Sequence, residues 1–386
     1  MGPWALATVL LCAAPPAPAS AIAPLSLIAP AAPVLATELD YTPQLQALSV
    51  VVACSPGAPP PRFDAKVLAA HCRQLALLQR WWEKRWLARA KPFLEKVVPA
   101  GLPTKVVYPF GGGDLLTALV TFPQATEIST LSLEPAGDAR AIDAIAPEDI
   151  EEALADVRGM ASNLFAVAHS KTSNMRKMVK GKLPGELTSA LVALAMSDFE
   201  PISLRYFRVG PVGDLVYIST EQAAAATGVG ERAHLFANAE ITFRPRGGGE
   251  PRVFRHITAN LDDVHLAADP AVLRHLESKG PVTAITKAAS YLLWWKGFSQ
   301  IRDYLLGHMV WMISDSTGIP PEDATAAGFE QIPYGQFEGP FLKAGQKPSE
   351  AFQRLWADSP EALPFRFGYP DSAGHSHLLI TRHPAK

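Results

Sequence analysis

The clearest pattern of apolar and polar positions in the chain is a pair of apolar runs on either side of a short helical pattern. Residues 105–110 predict a strand, the glycines at 111–113 a tight turn, and residues 115–120 a short helix with Asp114 as its N-cap. Residues 127–133 predict a second strand. Because a helix separates the two strands, we expect them to pair in parallel.

A second unit of the same kind lies in the last third of the chain. Residues 282–286 and 309–313 predict strands, and residues 288–306 between them carry apolar side chains at helical spacing. Asp315 follows this unit, as Glu134 follows the first one. The two units therefore share one layout, in which a strand, a helix and a strand are followed by an acidic residue.

Other segments predict hairpins and further helices. Alternating apolar and polar residues predict antiparallel strand pairs at 202–209 with 215–219, at 239–243 with 253–258, and at 363–369 with 376–382. Helices are predicted at 64–90, 147–169 and 184–197. The fold class is therefore α/β: a three-layer, Rossmann-like (methyltransferase-like) mixed sheet with antiparallel hairpins.

The N-terminal segment has the pattern of a signal peptide. The first 37 residues contain no Asp, Glu, Lys or Arg, and residues 4–14 form an apolar run that is too short to span a bilayer. Ala19, Ser20 and Ala21 fit the small residues of a cleavage site. We therefore expect residues 1–21 to be a signal peptide and the protein to be periplasmic or extracellular. No Lys or Arg precedes the apolar run, so an Ala/Pro-rich tail is the alternative.

The segment after the expected cleavage site differs in composition from the rest of the chain. Residues 22–61 are rich in Pro and Ala, which is typical of an extended arm or linker, and residues 45–52 within it predict a short strand. We expect residues 62–386 to form a single α/β domain.

Composition and charge exclude some classes of protein. Hydrophobic residues make up 48% of the chain and charged residues 19%, as in folded proteins rather than disordered ones. The formal net charge is −2, so we expect no general attraction to nucleic acid. We also expect no transmembrane helix. Cleavage removes Cys12, and the remaining Cys54 and Cys72 form either one disulfide or two separate thiols.

The glycine turn is the first candidate for a binding site. Gly111, Gly112 and Gly113 precede a helix, where backbone N–H groups bind phosphate, and Glu134 has the spacing of an acidic residue that contacts a ribose. A methyltransferase places S-adenosylmethionine similarly. However, the glycines are consecutive, Asp114 brings negative charge, and an exported protein meets little free nucleotide. The alternative is a tight turn with Asp114 as a helix cap, which leaves the cofactor unknown.

Polar residues after predicted strands are the candidates for catalysis. Lys287 and Asp315 directly follow the strands of the second unit, and ligands of α/β proteins gather at the carboxyl ends of strands. With Asp114 and Glu134, they form the set of candidate catalytic residues.

Two histidines near the C-terminus are weak candidates for a metal site. His375 and His377 lie on one face of a predicted strand, where two imidazoles can bind zinc. The chain carries no HExxH, GxSxG, Walker or CxxC motif, so we predict no metal.

Several motifs together resemble those of one protein family. They are, in chain order, Tyr108-Pro-Phe-Gly-Gly-Gly-Asp114, Phe122-Pro-Gln-Ala125, Leu133-Glu-Pro135, Thr286-Lys-Ala-Ala-Ser-Tyr-Leu292, Phe298-Ser-Gln-Ile-Arg302, Asp315-Ser-Thr-Gly-Ile-Pro320 and Leu363-Pro-Phe-Arg-Phe-Gly-Tyr369. The set is similar to that of a family of uncharacterised exported bacterial proteins, over residues 62–369. The chain departs from the family at Gly112, where Ser or Pro-type turn residues are more usual. The resemblance implies one continuous unit and an exported location, but no activity.

Three classes of function remain open from the sequence. The first is an exported ligand-binding or structural protein on a Rossmann-like frame. The second is an exported hydrolase or transferase with its site at the strand ends, formed by Asp114, Glu134 and Asp315 with Lys287. The third is an S-adenosylmethionine-dependent methyltransferase-like protein, which requires that the apparent signal peptide is not real. The sequence does not decide whether the protein is an enzyme, and it identifies no partner.

Overall fold

A mixed sheet of ten strands forms the centre of the computed structural model, which describes residues 39–167, 182–337, 350–357, 363–368 and 376–384. The strands are, in chain order, β1 Lys105–Pro109, β2 Glu127–Ser132, β3 Phe199–Val209, β4 Leu215–Tyr217, β5 Asn238–Pro245, β6 Arg252–Thr258, β7 Val282–Thr286, β8 Met309–Ser314, β9 Glu330–Gly335 and β10 His377–Arg382. Across the sheet their order is β4-β3-β5-β6-β2-β1-β7-β8-β10-β9.

The helices lie between the strands and before the first of them. They are α1 Thr42–Ala53, α2 Ala65–Trp82, α3 Ala88–Val97, α4 Leu115–Thr121, α5 Ala141–Ala144, α6 Ile150–Val167, α7 Gly185–Met196, α8 Thr220–Ala225, α9 Val229–Leu235, α10 Asp263–Ala268, α11 Ala271–Glu277, α12 Ser299–His308, α13 Pro321–Ala326 and α14 Glu350–Ala357. A π-helical turn, Glu83–Leu87, joins α2 to α3.

The central strands are parallel and the outer strands are antiparallel. β6, β2, β1, β7 and β8 pair in parallel, whereas β3, β4, β5, β9 and β10 pair antiparallel to their neighbours. The connection from β1 leads through α4 to β2 on one side, and the connection from β7 leads through α12 to β8 on the other side. The direction of the connections therefore changes between β1 and β7.

Apolar side chains on the central strands enter two separate core clusters. On β1, Val106 and Tyr108 belong to the first cluster and Val107 to the second, because alternate residues of a strand point to opposite faces. α4, α6 and α7 contribute to the first cluster, and α11 and α12 contribute to the second. The sheet is thus buried on both of its faces in this region, as parallel strands require.

The structure confirms the predicted strand, helix and strand of the first unit. β1 and β2 pair in parallel, with Tyr108 opposite Thr130. Asp114 is the N-cap of α4, and its carboxylate accepts a hydrogen bond from the Thr117 amide. The two internal hairpins, β3 with β4 and β5 with β6, are also confirmed.

The predicted strand at 45–52 is wrong, since this segment belongs to helix α1. Leu45, Leu48, Val51 and Val52 are fully buried on one face, and the half-buried Ala47 and Val50 lie on the other, so the helix is apolar on more than one face. Such a run has no periodicity that separates a strand from a buried helix. The helix is part of the compact unit Ala36–Lys386, so the predicted arm at 22–61 contains a core helix.

The predicted helix at 288–306 is too long. Ala288, Ser290 and Tyr291 have φ values of 51°, 51° and 58°, in the left-handed region that a right-handed helix does not contain. Two short 3₁₀ turns follow, and α12 begins only at Ser299. The Asp263 side chain accepts hydrogen bonds from the Ser299 and Gln300 amides, which fixes the start of α12.

The predicted pairing of the C-terminal segments is also wrong. β10 pairs antiparallel with β8 and with β9, and residues 363–368 form no strand. β10 enters the sheet between two strands that lie far before it in the chain, and no local signal in the sequence predicts such a pairing.

Three further predictions concern the disulfide, the N-terminal segment and membrane-spanning helices. Cys54 and Cys72 are joined by a disulfide, which ties the end of α1 to α2 with a Cα–Cα distance of 5.7 Å. The predicted signal peptide at 1–21 and residues 22–38 of the arm lie outside the described residues. Within the described ranges, no helix has the length and apolar character needed to cross a membrane.

Candidate functional site

The carboxyl ends of β1 and β7 meet at a buried ion pair. Lys287 Nζ lies 2.8 Å from Asp114 Oδ2, and the two side chains are 0% and 1% exposed. Lys287 directly follows β7, and Asp114 follows the glycine turn after β1, so the parallel pairing of these strands brings the two residues to the same edge of the sheet. This is the place where the direction of the connections changes, at which α/β proteins most often bind ligands.

Every oxygen of the Asp114 carboxylate has hydrogen-bond donors. Oδ1 accepts hydrogen bonds from the Thr117 hydroxyl at 2.9 Å and from the Thr117 amide at 3.4 Å. Oδ2 accepts a hydrogen bond from the Tyr108 hydroxyl at 2.8 Å in addition to the Lys287 ammonium. Lys287 also donates to Thr117 Oγ1 at 2.7 Å, and the Phe367 ring lies 5.5 Å from its ammonium. The carboxylate is therefore saturated by the protein itself.

Asp315 holds the strained loop that follows β7. Its Oδ2 accepts a hydrogen bond from the Ala288 amide at 2.8 Å, and its Oδ1 accepts hydrogen bonds from the Thr317 amide at 2.9 Å and the Thr317 hydroxyl. Thr317 Oγ1 in turn accepts a hydrogen bond from the Ala289 amide. A Cβ on Gly368 would lie 2.0 Å from Asp315 Oδ2, so only glycine fits there.

Burial shifts the pKa values of Lys287 and Tyr108. Burial lowers the pKa of Lys287, and the carboxylates of Asp114 and Asp315 oppose that change. Burial also raises the pKa of Tyr108 well above its usual value, and the negative charge of Asp114 acts in the same direction. Tyr108 is therefore a hydrogen-bond donor at neutral pH, which matches its contact with Asp114.

The glycine turn is packed against protein atoms rather than open to a ligand. A Cβ on Gly111 would lie 2.5 Å from the Tyr108 ring, and Gly112 has a φ of 48°. The Gly113 carbonyl accepts a hydrogen bond of 2.6 Å from Ser189 of α7. The predicted turn and helix cap are therefore present, and the glycines serve close packing at this position.

Glu134 lies apart from the other predicted site residues. Its main-chain carbonyl accepts hydrogen bonds from His256 Nε2 at 2.7 Å and from Thr258 Oγ1 at 3.0 Å. In the part of the chain that the structure describes, no hydrogen bond or ion pair joins Glu134 to Asp114, Lys287 or Asp315. The structure therefore groups three of the four candidates and leaves Glu134 at the ends of β2 and β6.

Near Glu134 lies a buried glutamate that the sequence did not indicate. Glu186, in the first turn of α7, is 3% exposed, and its Oε1 has no hydrogen-bond partner among the described residues. Burial raises its pKa well above the usual value, and the Glu134 carboxylate adds to this. Glu186 therefore keeps its proton to a higher pH than an exposed glutamate does.

His256 is the neighbour of Glu186 on β6. The distance from its Nδ1 to Glu186 Oε2 is 4.0 Å, which exceeds a hydrogen bond. Its Nε2 donates to the Glu134 carbonyl, so Nδ1 is the acceptor for the Thr130 hydroxyl at 3.2 Å. Burial lowers the pKa of His256 to about 4, so the ring is neutral at pH 7.

The residues around Asp114 have a signal in the sequence, whereas Glu186 and His256 do not. Tyr108 and Thr117 lie six and three residues from Asp114, within the motif that the sequence analysis singled out. Glu186 and His256 come from α7 and β6, and neither carries a local motif. They meet only in the folded chain, where His256 Nδ1 lies 4.0 Å from Glu186 Oε2.

Only one of the two candidate zinc ligands lies within the described residues. His377, on β10, is fully buried against the rings of Phe337 and Trp356, and His375 lies outside the described residues. Among the described residues, no group of three or more His, Cys, Asp or Glu side chains has the arrangement of a metal site.

No family model, no curated protein and no solved structure matches this chain.

Proposed function

We propose that this chain is an exported ligand-binding or structural protein on a three-layer, Rossmann-like frame whose strand-end crevice is filled by its own side chains, so that no nucleotide cofactor binds there. The observation that carries the proposal is the Lys287–Asp114 pair, with 2.8 Å between the charged atoms and side-chain exposures of 0% and 1%. In a nucleotide-dependent enzyme with this strand order, a cofactor would lie at that position.

The strand order and the two core clusters support the Rossmann-like description. Connections leave β1 and β7 in opposite directions, and α4 and α12 belong to different clusters. This is the arrangement expected when right-handed crossovers cover both faces of a parallel sheet.

Two observations support export. The first 37 residues lack charged side chains and contain an apolar run of signal-peptide length. Cys54 and Cys72 form a disulfide, and such bonds persist in oxidising compartments. N-terminal sequencing of protein recovered from the periplasm or medium tests this part, and we expect cleavage after Ala21.

Thermal unfolding with cofactors tests the filled crevice. S-adenosylmethionine, NAD and ATP should each leave the midpoint of unfolding unchanged at millimolar concentration. A ligand at about 100 times its Kd stabilises the folded state by about 2.7 kcal/mol, so a bound cofactor would raise the midpoint measurably. A reproducible increase with any of the three compounds would overturn the proposal.

A hydrolase or transferase is the second candidate, and one observation favours it. Ala288, Ser290 and Tyr291 hold left-handed backbone conformations directly after Lys287, and strained backbone is common at functional sites. Ser290 is exposed, whereas Lys287 is buried. Hydrolysis assays with ester, amide and phosphoester substrates distinguish the candidates. Activity that Ser290→Ala abolishes without changing the unfolding midpoint would favour the enzyme.

A further inference from the structure

A small pocket with two arginines lies between the end of α1 and the paired strands β3 and β5. Its volume is about 320 Å³, and the charged residues of its lining are Glu200, Arg244 and Arg246. Two guanidinium groups and one carboxylate leave one positive charge in excess. The volume is at the lower end of the range for sites that enclose small molecules. The pocket therefore suits a compact ligand with one negative charge rather than a dinucleotide.

The two guanidinium groups are accessible and have donors to spare. Arg244 Nε donates to Glu200 Oε1 at 2.6 Å, and its terminal amino groups have no partner in the part of the chain that the structure describes. Arg246 Nε lies 3.7 Å from Asp198 Oδ1, which exceeds a hydrogen bond, and the Asp198 side chain is 84% exposed. The side chains of Arg244 and Arg246 are 48% and 36% exposed, so a dissolved ligand reaches them. A guanidinium group binds a carboxylate through two parallel hydrogen bonds.

The end of α1 forms a fixed wall of this pocket. Ser55 lines the pocket directly after Cys54, whose disulfide ties α1 to α2. The Ser49 hydroxyl donates to Ser55 Oγ at 2.7 Å, and the Ser55 amide donates to the Ser49 carbonyl at 3.2 Å. The half-buried Ser55 hydroxyl keeps its own proton to donate to a ligand. A wall that is already ordered loses little entropy when a ligand binds.

An irregularity in β3 adds apolar surface to the pocket. The pairing of β3 with β5 shifts in register between Pro201 and Ser203, so Ile202 is the extra residue of a β-bulge. Pro201 and Ile202 line the pocket together with Pro56. The pocket therefore places apolar side chains beside the two guanidinium groups.

We infer that this pocket binds a small organic acid that carries one carboxylate on a compact apolar body, about the size of benzoate. Arg244 and Arg246 bind the carboxylate, and the two prolines and Ile202 contact the ring. The single excess charge favours a carboxylate over a phosphate, which carries more negative charge. The inference rests on the ligand-binding form of the proposed function and names its ligand class.

Isothermal titration of the full mature chain with matched probes tests the inference. We expect benzoate and cyclohexanecarboxylate to bind. Benzamide has the shape of benzoate without its charge, and inorganic phosphate has charge without an apolar body. Both should bind at least roughly 10-fold more weakly than benzoate, because benzamide loses the charge-assisted hydrogen bonds and phosphate the apolar contacts.

Three variants with changes at exposed positions identify the site. Arg246→Gln should weaken benzoate roughly 10-fold. Arg208→Gln removes the same charge from β3 outside the pocket lining and should stay within about twofold of the wild type. Asp198→Asn removes the carboxylate that competes for Arg246, and it should strengthen benzoate by up to about 5-fold. All three should keep the unfolding midpoint of the wild type, since asparagine also tolerates the φ of 60° at residue 198.

The inference is overturned if neither organic acid binds, or if benzamide or phosphate binds as tightly as benzoate. It is also overturned if Arg246→Gln binds benzoate like Arg208→Gln. Stabilisation by S-adenosylmethionine or a nucleotide that Arg246→Gln retains would instead contradict the proposed function and leave this test unaffected.

Discussion

At the scale of single residues, the burial of the Lys287 ammonium carries an electrostatic cost near the centre of the sheet. A buried ammonium is tolerated only when a carboxylate and further hydrogen bonds surround it. Asp114 and Thr117 supply contacts of this kind to Lys287, and the Tyr108 hydroxyl donates a hydrogen bond to Asp114. All three residues lie within the segment from β1 to α4. The pair therefore joins two neighbouring strands through side chains as well as through the backbone.

Removing one partner of this pair should destabilise the protein strongly. Lys287→Met leaves the Asp114 carboxylate buried without a cation, and we expect a loss of about 3–5 kcal/mol in the free energy of unfolding. Urea unfolding followed by circular dichroism measures it. Lys287→Met combined with Asp114→Asn removes both charges and keeps a helix cap, so it should recover part of the loss. A loss below about 1 kcal/mol in the single variant would show that the pair is not buried in solution.

Glu186 should make stability depend on pH. Its pKa is raised in the folded protein above the usual 4.5. Its contribution to stability is therefore fully present below pH 4.5 and is lost as the pH rises through the folded-state pKa. Glu186→Gln does not titrate, so its stability relative to the wild type should increase from about pH 5 to about pH 9, by about 1.4 kcal/mol for each unit of pKa shift.

The comparison must account for His256. Its pKa falls from 6.5 to about 4 in the folded protein, so its contribution to stability is lost as the pH falls through about 4. Both proteins keep His256, and the difference between them at each pH in urea unfolding isolates Glu186. If the difference in free energy of unfolding between Glu186→Gln and the wild type is the same at about pH 5 and at about pH 9, the prediction is wrong.

Local residue patterns made part of this site predictable. Asp114 as a cap follows from its place before an apolar run, and Lys287 and Asp315 follow from their places after predicted strands. The spacing of a dinucleotide site predicts that Glu134 lies with them, but β2 lies on the other side of β1 from β7. Glu186 was not predictable, because its environment is created by β6, about 70 residues later in the chain.

At the scale of elements, helix α1 shows how burial hides periodicity. Ala47 and Val50 lie on the side of the helix opposite the fully buried Leu45, and a helix with apolar residues on several faces lacks the amphipathic pattern that identifies exposed helices. By contrast, residues 105–121 combine an apolar strand, a glycine turn and a helix cap. Both the kind of each element, β1 and α4, and its boundaries were therefore predictable. The left-handed backbone of Ala288, Ser290 and Tyr291 was not predictable, since none of these residues is glycine.

The disulfide should stabilise the contact between α1 and α2. It closes a segment of 18 residues, for which the loss of chain entropy in the unfolded state predicts about 3 kcal/mol. Cys54→Ser with Cys72→Ser should therefore lower the free energy of unfolding by about that amount in urea. Reduction of the wild type with dithiothreitol should produce the same loss. No change after reduction would indicate that the two cysteines are not bridged in the purified protein.

At the scale of the whole molecule, strand β10 joins the edge strand β9 to the rest of the sheet. It pairs with β8 on one side and with β9 on the other, and Leu378, Leu379 and Ile380 are at most 2% exposed. Its removal would leave β9 without a neighbour and would expose the edge of β8.

Deletion of residues 376–386 should therefore prevent stable folding. We expect loss of the cooperative thermal transition and accumulation of insoluble protein. Deletion of residues 385–386 alone removes no residue of β10 and should leave the transition unchanged. A cooperative transition in the longer deletion would show that β9 and β10 form a dispensable unit.

The position of β1 between β2 and β7 has a consequence for how the protein folds. Contacts between β1 and β2 join residues as close as 22 positions apart, whereas the Thr286–Pro109 hydrogen bond between β7 and β1 spans 177 positions. Folding slows as contacts become less local. We therefore expect the β1–β2 unit to assemble early and the junction with β7 to close late. Lys287 and Asp114 lose their hydration only at that closure, so the central ion pair reports when β7 docks on β1.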